Sequence, residues 1–485
     1  MRLSKLIEKL QDASYEGEEK EILSLFTDSR KRAMNGLFFC FKGENADSHD
    51  FAKEAVKNGA VALIVEREVE ANVPQILVKD ARETLALLSS EFYGNPSEKM
   101  KVIGITGTNG KTTTTQMLSS ILEKAGKKVG KIGTLGIDYG QKSFPADLTT
   151  PDPILLQERL ADMFLSGVEY VVMEVSAHAL YYRKTAGVRF FACIFTNLSQ
   201  DHLDFFETME RYEQAKLQLF DKETCPIAVV NGDEETGRKI GKRRELDGGK
   251  TVYFGLNTPV DAFAIITDET LYGSECMLNL DDRLCRITLS MTGRHNIYNA
   301  LGAALCATEL GISSYAIAEG LTSMKGVCGR LERLETYKGA EVYVDFAHTP
   351  DGLEKSLDSL RKHCKGRLIC LFGCGGNRDK SKRPLMGETV AKKSDFSILT
   401  SDNPRYEDPL DIITAIEKGY RRFSVKYVIV PDRKKAIEYA LEFLKKGDVL
   451  LVAGKGGENY QEIMGIKYPF NDHDIIRELF QGRSI

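Results

Sequence analysis

A chain of 485 residues with 28% charged residues and a net charge of −4 is too long for one hydrophobic core and too evenly charged to advertise a nucleic-acid surface. No basic leader with an apolar core opens it, and no apolar run reaches the roughly 18 residues that span a bilayer. A cytoplasmic protein of about three domains is expected. Ten cysteines without a CxxC pair fit reduced core or loop thiols better than zinc ligands or disulfides.

In chain order, residues 1–98 predict a small α/β domain: a helical start, a strand over 36–41, a helix near 51–58 and a strand over 60–65. Tyr93-Gly-Asn-Pro-Ser97 has loop composition and marks the first boundary. The next domain, 99–328, alternates helical patterns with short continuous apolar runs at 102–106, 170–175 and 192–196, as in a parallel sheet covered on both faces. A second boundary falls near Lys325-Gly-Val-Cys-Gly329. In 329–485, strands at 342–345, 368–372, 396–400, 427–430 and 449–453 alternate with helices and predict a second, Rossmann-like doubly wound sheet.

The segment Val102-Ile-Gly-Ile-Thr-Gly-Thr-Asn-Gly-Lys-Thr-Thr-Thr-Thr115 runs from strand to glycine turn to helix and reads as a phosphate cradle. Gly107 and Gly110 let backbone N–H groups close on an anion, Lys111 adds charge, and the Thr112 hydroxyl reaches Mg²⁺. The strict P-loop spacing fails because Ile105 stands where its first glycine belongs. Met117, Leu118, Ile121, Leu122 and Ala125 nevertheless continue at helical spacing, with Gly126 as the stop. Polar clusters at other strand ends, Glu174 to His178, Thr196 to Asp204, Asp345 to His348 and Gly373 to Asp379, predict a site between the central and C-terminal domains.

GTNGKT, MEVSAHA, TNLSQDHLDFF, GRHNIYNALGA, GRLE, VDFAHTPDGLE, FGCGGNRDKSKRPLM, SDNPRYEDP and GKGGE together resemble the Mur ligase family in order and spacing, over essentially the whole chain. The resemblance implies three domains: a small N-terminal α/β domain, a central P-loop ATPase-like parallel sheet and the C-terminal Rossmann-like sheet. It implies an ATP- and Mg²⁺-dependent amide ligase of peptidoglycan precursor synthesis, working through an acyl phosphate; a monomer is expected. Gly107, Thr108, Asn109, Gly110, Lys111, Thr112 and Thr113 match the family's phosphate contacts; His295, Asn296 and Asn299 match adenine contacts, and Arg330 and Asp345 match positions near phosphate and ribose. Thr112, Glu174, His202 and a carbamylated Lys216 match the metal-side positions, and Lys111, Glu174, His202 and Lys216 the catalytic ones. On the residues alone, Glu174 is equally a strand-end carboxylate and Lys216 a solvated helix lysine.

Ser29 and His49, with Thr149, Thr150, Ser176, Tyr182 and Lys184, match the pocket for UDP-N-acetylmuramoyl-L-alanyl-D-glutamate, although Tyr182 and Lys184 stand where Gln and Arg are often found. Asp402, Asn403, Pro404 and Arg405, with Arg378, Gly454 and Glu458, match contacts to the incoming amino acid. In this family that DNPR run accompanies meso-diaminopimelate, whose second carboxylate takes paired bonds from a guanidinium. Gly457 replaces the histidine of the usual GKGHE, and Asn377 an aspartate. L-Lysine on the same scaffold is the alternative substrate, a folylpolyglutamate-type ligase a more distant one, and a non-catalytic nucleotide-binding homologue the alternative from another class.

Overall fold

The structure is a computed structural model and describes residues 1–10, 15, 18–43, 46–280 and 282–482. Glu44 and Asn45, a few residues before His49, lie outside the described residues. The chain divides into two compact units, one of residues 1–104, 127–193 and 218–226, the other of residues 105–126, 194–217 and 227–485.

The first unit opens with four parallel strands in sequential order, Ser24–Phe26, Gly36–Phe39, Ala60–Val65 and Gln75–Leu77. Leu37 and Phe39 join the core on one face, Phe38 and Cys40 that on the other, so the apolar run is a strand buried on both sides. The expected strand over 36–41 ends at Phe39. Its neighbours Ser24–Phe26 and Gln75–Leu77, three residues each, are too short to leave a periodic signal. The helix Ala81–Phe92 starts where Asp80 accepts hydrogen bonds from the N–H groups of Arg82 and Glu83, a cap that the sequence reading passed over. It packs on the helix Pro153–Leu165. In the same unit Tyr170–Glu174 pairs parallel with Val129–Gly133, and Gly136–Tyr139 and Lys142–Phe144 follow as antiparallel neighbours.

In the second unit Ile227–Asn231 and Lys250–Gly255 pair in parallel. The sheet then continues through Ala262–Thr270, Gly273–Leu280 and Arg283–Leu289, of which the last three run antiparallel to one another. These hairpin strands are not among the sequence expectations: their burial alternates residue by residue, unlike the continuous apolar runs used to find the parallel strands. The helix Lys111–Lys124 packs against Arg294–Glu309 and Ser314–Thr322. A six-stranded sheet follows in the order Glu332–Arg333, Glu341–Asp345, Val449–Ala453, Leu368–Phe372, Phe396–Leu399, Lys426–Ile429, parallel except for the first strand. Val449, Leu451 and Ala453 enter the core on one face and Leu450 and Val452 that on the other, as doubly wound packing requires. All ten cysteines are free thiols; seven are buried, two are half-buried and only Cys328 is exposed. Among the described residues, no helix is long and apolar enough to cross a membrane.

Candidate active site

In the second unit Gly107 (φ +150°) and Gly110 (φ +86°) shape the turn that opens the helix Lys111–Lys124. A Cβ on Gly107 would run into the Thr196 hydroxyl and one on Gly110 into the Asn299 side chain, so both positions need glycine for space as well as backbone angle. Asn109 N–H donates to Asn197 Oδ1 at 3.0 Å, and Thr196 Oγ1 donates to Asn109 O at 2.6 Å, which holds the turn against the end of the neighbouring strand. Lys111 Nζ donates to Gly107 O and Thr108 O, each at 2.8 Å. An ammonium folded over a glycine turn at a helix N-terminus is a cradle for a polyanion.

Lys216 reaches the same turn from the helix Met209–Leu217. It is 1% exposed, its Nζ donates to Gly107 O at 2.9 Å, and it lies 4.5 Å from the centre of the Tyr212 ring. Burial and then the charge of Lys111 push its amine well below the ordinary lysine value, against the pull of Asp201. The reading of Lys216 as a solvated helix lysine is therefore wrong, because its helix face packs inward on the cradle.

Asp201, 5% exposed, collects basic side chains from two parts of the chain. Lys382 Nζ donates to its Oδ1 at 3.3 Å, and Nε2 of His202 and of His348 stand 3.3 and 3.7 Å from its Oδ2. Burial raises its pKa, but the His348 hydrogen bond and the charges of Lys382 and His202 outweigh this and hold it well below the usual carboxylate range. Asp351, in the first turn of the helix Pro350–Arg361, accepts from Asn109 Nδ2 at 3.0 Å and Ser199 Oγ at 3.1 Å. Strand-end loops of the parallel sheets thus meet over the cradle. Arg330 adds a further link, its Nη2 donating to Thr112 Oγ1 at 2.8 Å.

Asn296 and Asn299 are buried on the helix Arg294–Glu309; Asn296 Nδ2 donates to Thr292 O at 2.9 Å, and Gly293 occupies the cap position. Burial holds the His295 ring below its ordinary pKa. Asp345 accepts from Leu331 N–H through Oδ1 and from the Ser356 hydroxyl through Oδ2, so both oxygens already serve the fold.

In the first unit, Glu174 is 1% exposed and accepts from Thr134 N–H at 2.9 Å and Thr134 Oγ1 at 3.1 Å. Thr150 Oγ1 donates to Glu174 O at 2.9 Å and accepts from Ser176 N–H at 3.0 Å, and Thr149 Oγ1 lies 3.2 Å from Thr134 Oγ1. Thr150 Oγ1 also stands 3.4 Å from Ser176 Oγ, so four hydroxyls and a carboxylate share one polar cluster. Lys184 pairs with Asp152 at 2.6 Å, and the Arg82 guanidinium stacks between the rings of Phe41 and Tyr182. Ser29 Oγ donates to Glu54 at 2.6 Å. His49 is engaged on both sides, by Asp47 at Nδ1 and by Glu66 N–H at Nε2.

Also in the second unit, Arg405 sits at φ +52° and sends Nε to Glu462 at 3.1 Å and Nη1 to Gly376 O at 2.8 Å. Its Nη1 and the Arg378 stem flank Gly375, and Arg378 is exposed. Asn403 Nδ2 and Lys455 Nζ both donate to Glu458, at 2.9 and 2.8 Å. Asp402 packs against Gly454, where a side chain would displace it. Burial raises Asp402, yet Lys455 and Arg433 keep it charged and below its ordinary value. Asn377, at φ +50°, accepts from Tyr406 N–H through its amide oxygen, a bond aspartate would make equally; the substitution keeps the turn. A Cβ on Gly457 would stand 3.1 Å from Cys328 Sγ, so a histidine there would crowd that thiol.

The sequence reading missed Thr134, Arg82, Asp351, Lys382 and Lys455 as site residues, and nothing in local pattern marks them except their place inside quoted motifs or at strand ends. The glycine angles and the Lys111 amine fit a nucleotide polyphosphate. Within the second unit the Thr112 hydroxyl, and within the first unit the Glu174 carboxylate, are each the kind of oxygen donor that a hard cation such as Mg²⁺ takes.

The chain matches the Mur ligase family catalytic domain over residues 21–93, the Mur ligase middle domain over 105–307 and the Mur ligase glutamate ligase domain over 329–456. It is 39% identical to the UDP-N-acetylmuramoyl-L-alanyl-D-glutamate--2,6-diaminopimelate ligase of Geobacillus thermodenitrificans, covering 100% of both chains. It is 42% identical to the ligase of the same name from Clostridium botulinum, with 99% of this chain and 100% of that one covered. A solved structure of a ligase of that name superposes with a TM-score of 0.70 at 29% identity, covering 96% of each chain. MurF from Acinetobacter baumannii shares the fold at 20% identity, with a TM-score of 0.65 and coverage of 99% and 98%.

Proposed function

The chain belongs to the Mur ligase family, and from that premise we propose that it joins meso-diaminopimelate to UDP-N-acetylmuramoyl-L-alanyl-D-glutamate in peptidoglycan precursor synthesis. It is an ATP-dependent, ADP-forming ligase. The glutamyl carboxylate takes the γ-phosphoryl group of ATP, ADP leaves, and the amine of diaminopimelate displaces phosphate from the acyl phosphate to make the amide. Residues 1–98 serve the sugar nucleotide, 99–328 ATP, and 329–485 the amino acid; the enzyme works in the cytoplasm as a monomer.

Two anions meet in the first step, and at an effective dielectric of about 20 their repulsion at contact is roughly 4 kcal/mol. Lys111 opposes it from the cradle, with Gly107 to Thr113 closing backbone donors on the phosphates and His295, Asn296 and Asn299 beside the base. Mg²⁺ would supply the remaining positive charge. Thr112, His202 and a carbamylated Lys216 are the candidate side chains that would hold it in the second unit; Glu174, which the family pattern adds to them, is a candidate oxygen donor within the first unit taken by itself. Burial makes the modification chemically sensible: burial and the charge of Lys111 favour a neutral Lys216 amine, which adds CO₂, releases one proton and becomes an anion that Lys111 attracts. Thr149, Thr150, Ser176, Tyr182, Lys184, Ser29 and His49 line the sugar-nucleotide side, His49 by shaping its loop.

The observation that carries the choice of amino acid is Arg405, held at positive φ with Arg378 across Gly375. Two guanidiniums suit a substrate with a carboxylate at its far end; L-lysine has only an ammonium there. Asn403, Lys455 and Glu458 form the adjoining polar wall. Phosphate release with UDP-muramoyl-dipeptide, ATP and either amino acid tests this reading. A strong preference for meso-diaminopimelate is expected; comparable kcat/KM with L-lysine overturns the substrate, and no release with either overturns the ligase reading.

A further inference from the structure

The exposed cysteine lies in the one group of three metal-capable side chains found among the described residues. Cys328, Glu332 and His473 place a sulfur, a carboxylate oxygen and an imidazole nitrogen all within 4.8 Å of one another. Each is positioned by a different piece of backbone. Cys328 precedes Gly329, whose φ is +62° and whose backbone packs on Gly456 and Gly457. Glu332 opens the short strand Glu332–Arg333, where one of its oxygens accepts both Gly329 N–H and His473 Nε2 at 2.7 Å. His473 stands in the first turn of the helix Asp472–Gln481, with its side chain 6% exposed and its Nδ1 without a partner among the described residues. A structural ion pair between Glu332 and His473 gives the thiol no part, although its sulfur lies within 4.8 Å of both partners' ligand atoms.

We propose that Cys328, Glu332 and His473 form a binding site for one borderline-soft divalent cation of the Zn²⁺ type, separate from the Mg²⁺ used in phosphoryl transfer. The donor set decides the class of ion. A thiolate with an imidazole and one carboxylate is a zinc-type set, whereas Mg²⁺ and Ca²⁺ take oxygen only. Tetrahedral zinc, with bonds of about 2.0–2.3 Å, holds its ligands about 3.5 Å apart. The observed spread is reached by side-chain rotation, with the glutamate–histidine pair opening slightly and the thiol closing in. Exposure of Cys328 supplies the entry path, and three protein ligands leave a fourth position for water. Gly457 is what makes room for the sulfur, since a side chain there would press on it. Binding expels the thiol proton to solvent and ties residue 328, two positions before Arg330, to the helix Asp472–Gln481.

The test uses the full chain stripped with a chelator and titrated with Co²⁺ and with Zn²⁺. One Co²⁺ per chain is expected, with a thiolate-to-cobalt charge-transfer band that Zn²⁺ abolishes. Cys328→Ser, a change at an exposed position, removes the band; Glu332→Gln and His473→Gln each weaken Zn²⁺ binding by at least about tenfold, given that even outer-shell partners are worth about 10–100-fold. Absence of the band in the unmodified chain, its survival in Cys328→Ser, or unchanged Zn²⁺ affinity in both other variants overturns the proposal.

Discussion

At the scale of single residues, Lys216 separates what burial costs from what it enables. A buried amine whose folded pKa lies below the ordinary lysine value binds fewer protons in the folded chain than in the unfolded one between those two values. In that window the unfolded state gains protons, so stability rises with pH, and below it the unmodified lysine is a net burden. Carbamylation removes the burden by turning the amine into an anion beside Lys111. Bicarbonate is therefore expected to raise the melting temperature of the unmodified chain in mildly alkaline buffer and to leave Lys216→Met unmoved. That variant should be at least as stable as the parent without bicarbonate, yet lose nearly all ligase activity, with partial return on adding short-chain carboxylic acids. A fully active Lys216→Met enzyme removes the residue from the mechanism. From sequence this lysine was indistinguishable from a surface one, because Gly107, whose carbonyl accepts its proton, lies 109 residues away along the chain.

Among the elements, the helix that starts at the cradle is held by its neighbours rather than by a cap. Gly110 offers no side chain to the first turn, and the helix instead packs along Arg294–Glu309 and Ser314–Thr322. Gly320 allows the closest approach: a Cβ there would stand 2.8 Å from Ile121 N, and Ser120 Oγ donates to Gly320 O at 2.7 Å. Neither group is the far end of a flexible chain, so the helices must part. Gly320→Ala is expected to cost about 1–3 kcal/mol, the usual penalty of overpacking, readable as a lower urea midpoint. Because the displaced helix carries Lys111 and Thr112 at its start, KM for ATP should rise as well. Lost stability with unchanged ATP kinetics would show that the cradle is held by its strand-side bonds through Asn197 and Thr196 alone.

Across the whole molecule, many parallel strands were legible because burial on both faces writes a continuous apolar run, and the glycine turn because its backbone angles exclude other residues; the parallel strands Ser24–Phe26, Gln75–Leu77, Val129–Gly133, Ile227–Asn231 and Lys250–Gly255 were not read. The three antiparallel strands after Lys250–Gly255 and the helix Ala81–Phe92 were not read, their signals being alternation and a single capping aspartate. The candidate site was legible as motifs but not as contacts: Asp351 and Lys382 lie far along the chain from the Asn109 and Asp201 they meet. That distribution also predicts how damage is confined. Among the described residues the Arg405 side chain bonds to Gly376 O and Glu462, both within residues 329–485, so Arg405→Ala should leave the sugar-nucleotide and ATP steps nearly intact. Loss of a charge-assisted contact costs about 1.5–3 kcal/mol, roughly a tenfold to hundredfold fall in kcat/KM for meso-diaminopimelate. The preference over L-lysine should narrow by a similar factor, since lysine never used the guanidinium, while KM for UDP-muramoyl-dipeptide stays within about twofold. An equal fall for both amino acids would mean that Arg405 supports the turn through Glu462 and does not select the substrate; Glu462→Gln, which weakens that support but keeps the guanidinium, distinguishes the two by leaving the preference in place.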